Sequence, residues 1–266
     1  MATTRIHSQL GPAELADFLS GLPATSRPII DRWFRAAPDI QMKSDASPVT
    51  VADREVETAL RAALIDRFPS DDIIGEEHAD RVGDGTTGYQ WVVDPIDGTK
   101  AFICGKPEFG TLVGLIDQSR PVAGLIDMPA LGETYIGLGT QCLMNGTPIV
   151  TSNCTSLDTA RLATTSPDAF SGAGAAAFDR VKAHAAITSY GGDCYNYALL
   201  AAGHIDVVIE DSLASHDIMG PVAVTQAAGA TVTDLTGAPV RLGSTSSLIV
   251  AATPALHAEV LALVIS

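Results

Sequence analysis

The feature that most constrains this chain is Trp91-Val92-Val93-Asp94-Pro95-Ile96-Asp97-Gly98-Thr99-Lys100, an apolar run that ends abruptly on two carboxylates. Such a run is the pattern of a buried strand, and the glycine that follows marks its end. Pro95 lacks a backbone donor and has a fixed φ, so the segment is expected to leave the sheet there, letting Asp94 and Asp97 converge on one point. Convergent carboxylates repel each other unless a cation lies between them. The ordinary alternative is a strand followed by an acidic turn, which is what most isolated Asp-Gly pairs are.

Around this stretch the chain is long enough for one large domain or two modest ones, and 46% hydrophobic residues with 18% charged ones is a globular composition. A formal charge of −15 argues against a nucleic-acid or anionic-membrane surface. If the substrate is itself anionic, bound divalent cations are needed to reverse the local field. No membrane-length apolar run and no signal or transit pattern is evident, so the chain reads as soluble and cytoplasmic. Cys104, Cys142, Cys154 and Cys194 form no Cys-x-x-Cys pair and are expected to be buried free thiols.

Taken in order, Pro12 to Ala37 reads as two helical segments punctuated by Pro23 and Pro28. Thr50 is a candidate N-cap with Asp53 three positions on, opening a helix whose buried stripe is Val56, Leu60, Ala63 and Leu64. Ile73 to Glu77 is a short strand ending on two carboxylates, and Gly83 to Gly88 is a surface loop. Thr111 to Ile116, Pro121 to Asp127 and Glu133 to Leu138 form an antiparallel meander, with a hairpin at Asn145-Gly146. Beyond Val150 the texture becomes rich in Ser, Thr and Ala and then alternates strand with helix, which predicts a domain of residues 1–150 and a second of 151–266.

Familiar nucleotide, hydrolase and zinc-protease motifs are absent, and Pro95, Ile96 and Gly98 break the register of a calcium loop. Six histidines are scattered, of which only His216 abuts a candidate site, and a lone histidine is more often structural than a ligand. What remains is an oxygen-rich set at element ends: Asp53, Glu76, Glu77, Asp94, Asp97 and Asp217. Hard oxygen ligands suit Mg²⁺ or Mn²⁺, and a carboxylate cluster can hold two ions for in-line phosphoryl transfer. Gly98 and Thr99, opening a helical turn, offer backbone N–H groups to an anion.

Glu76-Glu77, then Trp91-x-x-Asp94-Pro95-Ile96-Asp97-Gly98-Thr99, with Ser47-Pro48-Val49-Thr50-x-x-Asp53 upstream, resembles the inositol monophosphatase superfamily of Mg²⁺-dependent, lithium-sensitive phosphatases. The resemblance implies a layered αβαβα sandwich of α/β (α+β) class, with an N-terminal α+β domain carrying most ligands and a C-terminal α/β domain selecting substrate. It further implies two or three Mg²⁺ ions, a homodimer, and metal ligation by Glu76, Asp94, the Ile96 carbonyl, Asp97 and Asp217. Asp53 and Thr99 would polarise the attacking water, Gly98 and Thr99 would meet the phosphate, and Lys43 would lie near the water shell of a third ion. His216-Asp217-Ile218-Met219-Gly220 departs from the Trp-Asp-x-Ala-Ala that the family usually carries.

Tyr190-Gly191-Gly192-Asp193-Cys194-Tyr195-x-Tyr197, with Ile205-Asp206-x-Val208-x-Glu210, is similar to the histidinol-phosphatase branch. That similarity implies a place in histidine biosynthesis, with Asp193 and Glu210 pairing with the ammonium and imidazole of histidinol phosphate. The simpler role for Asp193 is to cap the helix that follows. Alternatives at the level of function are an inositol-1-monophosphatase or related sugar or nucleotide phosphatase, and, further off, a non-catalytic acidic binding protein.

Overall fold

The computed structural model describes residue 7 and residues 10–36, 40–42 and 48–266. Helices α1 (Pro12–Gly21) and α2 (Pro23–Trp33) come first, then strands β1 (Ile40–Met42) and β2 (Pro48–Thr50), which form a two-stranded sheet, and helix α3 (Val51–Arg67). The first large sheet follows: β3 (Asp72–Gly75), β4 (Tyr89–Asp97), β5 (Gly110–Asp117), β6 (Arg120–Met128), β7 (Glu133–Leu138), β8 (Gln141–Met144) and β9 (Thr147–Ile149), with α4 (Thr99–Ile103) between β4 and β5. Its strands lie side by side in chain order, parallel only where β3 meets β4. The second sheet is built from β10 (Arg161–Thr164), β11 (Ile187–Tyr190), β12 (Val207–Glu210), β13 (Thr231–Thr233) and β14 (Leu248–Ala251), in the order β11-β10-β12-β14-β13. Helices α5 (Gly172–Lys182), α6 (Tyr195–Ala201), α7 (Ser215–Ala227) and α8 (Pro254–Ile265) complete the chain.

Strand periodicity sorts these elements into layers. In β4 and β5, Trp91, Val93, Val113 and Leu115 face one way, into a core with Leu15, Leu19, Ile30, Val56, Leu60 and Leu64 of α1 to α3. Val92 and Leu112 face the other way, toward Ala198 and Leu200 of α6 and Ile218, Met219 and Val222 of α7. The second sheet repeats the scheme: Val208 and Val250 join the core of α6 and α7, whereas Val207, Ile209 and Ile249 pack with Phe178, Val181, Leu256 and Val260 of α5 and α8. The order helices, sheet, helices, sheet, helices is the αβαβα sandwich.

Three glycines set the position of α7. Gly114, Gly124 and Gly137 are paired partners across β5, β6 and β7, so they form a row on the face that meets the helix. A Cβ on Gly124 would come within 2.4 Å of the Gly220 carbonyl oxygen, and one on Gly137 within 2.5 Å of Val224 Cα. The helix backbone therefore rests directly on the sheet, with Gly220 at the point of approach. A Cβ on Gly220 itself would stand 3.0 Å from the Val113 carbonyl oxygen of β5.

Local expectations fail in three places. Pro28 does not punctuate: it lies inside α2, and the break falls at Leu22-Pro23, where Leu22 itself keeps helical angles of φ −61 and ψ −36. The segment does not leave the sheet at Pro95. Instead β4 continues to Asp97 with a register shift, Asp94 opposite Leu112 and Asp97 opposite Gly110. Cys104 is exposed, although Cys142 and Cys194 are buried and all four thiols are free.

Candidate active site

The register shift does what an exit from the sheet was expected to do. Residues three apart in a regular strand point to opposite faces, but the interval from Asp94 to Asp97 opposes the shorter one from Leu112 to Gly110. That extra residue is a bulge, and it turns both carboxylates to one side. Thr111 Oγ1 donates to the Pro95 carbonyl at 2.8 Å and fixes the bulge, while the Ile96 N–H donates to Asp94 Oδ1 at 3.1 Å. Gly98 then takes φ +79, a left-handed angle that suits glycine, and the chain enters α4.

Other elements deliver further oxygens to this point. Ligand atoms of Asp94, Asp97 and Asp217 lie within 4.8 Å of one another, as do those of Glu76, Asp94 and His216. Asp217 stands in the first turn of α7, where its Oδ2 also accepts the Ala214 N–H at 2.7 Å. Thr50 caps α3 as its spacing predicts, and Asp53 Oδ2 accepts both the Thr50 N–H at 2.8 Å and its hydroxyl at 2.5 Å. Asp53 Oδ1 is buried with no hydrogen-bond partner. Thr99 Oγ1 donates to the Ile96 carbonyl at 3.1 Å. Lys43 lies outside the described residues.

Electrostatics identify what such a cluster lacks. Burial, then the neighbouring Glu76, Asp97 and Asp217, push the Asp94 carboxyl well above its ordinary range. Burial and then Asp193 and Asp217 do the same to Asp97, against the opposing effect of the Cys194 N–H, which donates to Asp97 Oδ2 at 2.6 Å. Asp53 is raised by burial first. Carboxylates gathered out of water in this way call for positive charge, and an oxygen-rich set with one imidazole and an orphaned buried oxygen fits a divalent cation.

The cluster opens into a cavity of about 290 Å³ lined by Glu76, Asp97, Gly98, Thr99, Lys100, Asp193, Glu210 and Asp217 among others. Asp193 adopts φ +44 and makes no cap: Cys194 is the N-cap of α6 and no side chain caps it. The Asp193 carboxyl is pushed up to about 6, by burial and then by Glu108, against the pull of Lys100 and Lys106. Glu210 is otherwise committed, its carboxylate accepting the N–H and hydroxyl of Thr165 at 2.7 and 2.8 Å and the Thr164 hydroxyl at 3.2 Å. Burial still raises it to about 7. The buried Tyr197 hydroxyl, on the same cavity wall, has no partner.

Glu57 is the residue that sequence reasoning missed. Its buried carboxylate accepts from Arg61 Nε at 2.7 Å, from the Glu77 N–H at 2.6 Å and from the His78 N–H at 3.2 Å, fixing the turn that presents Glu76. A Cβ on Gly75 would fall 2.0 Å from Glu57 Oε1, so that turn needs its glycine. The available signal was the position of Glu57 one helical turn after Asp53 on the buried face of α3.

A sequence profile of the inositol monophosphatase family matches residues 12–265. The chain is 44% identical over 234 residues to the bifunctional phosphatase IMPL2 (chloroplastic) of Arabidopsis thaliana, covering 86% of this chain and 68% of that one. It is 32% identical over 237 residues to a histidinol-phosphatase of Mycobacterium tuberculosis, covering 84% and 86%. Among solved structures it is similar to an inositol monophosphatase from Zymomonas mobilis, with a TM-score of 0.85, 38% identity and coverage of 96% and 98%.

Proposed function

The chain belongs to the inositol monophosphatase family, and from that premise we propose that it is a Mg²⁺-dependent phosphomonoesterase acting on a small phosphate ester. The observation that carries the reading is the convergence of Glu76, Asp94, Asp97 and Asp217 beside a cavity of substrate size. Glu76, Asp94, the Ile96 carbonyl, Asp97 and Asp217 would hold the cation or cations. When bound, these supply Lewis acidity and neutralise charge on a phosphoryl group.

The protein's own residues do the rest. Asp53 Oδ1, left without a donor and raised by burial, accepts a proton from the attacking water, and the Thr50 cap fixes the orientation of that carboxyl. Thr99, joined to Ile96, holds the water on the same side as the bulge. The backbone of Gly98 and Thr99 at the start of α4 orients the phosphate oxygens, and Lys100 adds a cationic wall to the cavity. In-line attack with these groups needs no covalent intermediate: the phosphorus–oxygen bond to the alcohol breaks as the bond to water forms, and the departing alkoxide takes its proton from a solvent water.

For the alcohol half of the substrate, inositol 1-phosphate or a related polyol or sugar phosphate is the better supported class. The Zymomonas mobilis likeness spans both chains almost completely, and Glu210 is engaged by Thr164 and Thr165, which leaves it less suited to serve as a dedicated counter-ion. Histidinol phosphate is the second reading, supported by Asp193, a cavity carboxyl that caps nothing, and by the Mycobacterium tuberculosis relative. Initial rates with myo-inositol 1-phosphate and L-histidinol phosphate, measured side by side in Mg²⁺, test the choice. A higher kcat/KM for the inositol ester supports the first reading. A preference for histidinol phosphate that Asp193→Asn selectively removes replaces it with the second.

A further inference from the structure

The first turn of α7 brings two side chains to the carboxylate cluster, and the proposed ligand set uses only Asp217. The other is His216. A ring nitrogen of His216 and carboxylate oxygens of Glu76 and Asp94 lie within 4.8 Å of one another, a spacing at which one ion can contact all three. The three groups come from three separate elements: the turn after β3, the bulge of β4 and the start of α7. Their meeting is therefore a property of the fold and not of local sequence.

The ion pair that His216 makes with Asp217 is a loose one. His216 Nε2 is 3.7 Å from Asp217 Oδ1, longer than a hydrogen bond, and the imidazole is 23% exposed, so it remains within reach of an incoming ion. A neutral imidazole offers one ring lone pair, which Mn²⁺ and Zn²⁺ accept more readily than Mg²⁺ does.

We propose that His216 is a nitrogen ligand to a divalent cation held by Glu76 and Asp94, giving that position a mixed nitrogen and oxygen set that adds affinity for Mn²⁺ and Zn²⁺ while Mg²⁺ is held by the oxygens alone. The inference deepens the metal-dependent reading above and rests on it. The exposed edge of the imidazole lets the ion bind without rearrangement of α7, whose backbone is fixed by the glycine row.

The test uses the full chain freed of metal, titrated by calorimetry with Mg²⁺, Mn²⁺ and Zn²⁺ in turn, together with pulsed electron paramagnetic resonance of the Mn²⁺-loaded protein. The spectrum is expected to show histidine-nitrogen coupling that changes when the protein is labelled with ¹⁵N-histidine. His216→Phe keeps the ring bulk without a ligand atom. It is expected to lose that coupling and about 10- to 100-fold in Mn²⁺ and Zn²⁺ affinity, with Mg²⁺ affinity changed by less than about threefold. Bound Mn²⁺ without histidine coupling in the unsubstituted protein overturns the inference whether or not the variant folds. So does an unchanged Mn²⁺ and Zn²⁺ affinity in His216→Phe. Failure of the unsubstituted protein to bind any of the three ions overturns the metal-dependent reading itself, and this inference with it.

Discussion

Asp94 and Asp97 serve the site at the expense of the metal-free fold. Both carboxyls are raised well above their ordinary range by burial and by one another's neighbours, so ionising them without a cation is costly. Asp94→Asn is therefore expected to raise the melting temperature of the metal-free protein by about 2–4 °C, a change on the order of 1 kcal/mol for a chain of this size. The same substitution should lower divalent-ion affinity by about 100-fold, and thermal melts beside calorimetric titration check both directions. The cavity carboxyls give a pH dependence of known sign. Asp193 moves from 3.8 to about 6 and Glu210 from 4.5 to about 7, so each favours the folded state while protonated. That stability is complete below about pH 4 and is lost as pH rises through 6 and 7. Asp71, paired with His7, Thr87 and Trp91, and Asp206, paired with Arg161 and Ser152, are held below 3.8. Their stabilisation is present above 3.8 and is lost as pH falls through the lowered values. A pH series of melts on metal-free protein should thus decline on both sides of about pH 4–5, and Glu210→Gln should flatten the alkaline side.

At the scale of elements, α7 is the part on which the candidate site most depends, because it carries His216 and Asp217 and lies directly on the first sheet. Gly124→Ala places a Cβ 2.4 Å from the Gly220 carbonyl oxygen, a backbone atom that cannot swing aside. The expected loss is about 2–3 kcal/mol, the upper part of the range for overpacking, with weakened metal binding as Asp217 shifts. A variant with normal stability in denaturant unfolding and full metal affinity would show that the helix is not seated by the glycine row. Much of this level was legible in the sequence: the Thr50 cap with Asp53 behind it, the meander after Thr111, and the apolar run into Asp94 each carry a local signal. The bulge was not, because Pro95 equally suggests an exit, and only the pairing of Gly110 and Leu112 with β4 and the hydrogen bond from the Thr111 hydroxyl to Pro95 resolve the two. Strand β10 escaped for a similar reason. Arg161-Leu162-Ala163-Thr164 is only four residues long and begins and ends on polar side chains, and its place between β11 and β12 is fixed by tertiary pairing. Glu57 was hidden because its partners come from distant segments, and the adjacency of His216 to Asp217 gave no sign that Glu76 and Asp94 are its neighbours.

Across the whole molecule, the helices of the middle layer share one core with both sheets, so the cluster is assembled by elements from either side of residue 150. The cavity takes Thr99 and Lys100 from the first half of the chain and Asp193 and Asp217 from the second. A cation held between them should therefore stabilise the entire fold and not one half. Saturating Mg²⁺ at about 100 times its dissociation constant is expected to add about 2.7 kcal/mol, read as one concerted upward shift of the melt. Two transitions of which only one responds would contradict that coupling. Among the described residues, no helix is long and apolar enough to cross a membrane. The proposed activity is hydrolysis of a phosphate monoester by a metal-dependent cluster built on Asp94 and Asp97. Its most direct test is phosphate release from myo-inositol 1-phosphate and L-histidinol phosphate by the purified chain, with Mg²⁺ present, removed by chelation and restored, beside Asp97→Asn. Turnover of at least one ester is expected that disappears with the metal, returns with it, and is lost in the variant. Phosphate release that survives chelation, or no release from either ester by protein that binds Mg²⁺, would contradict it.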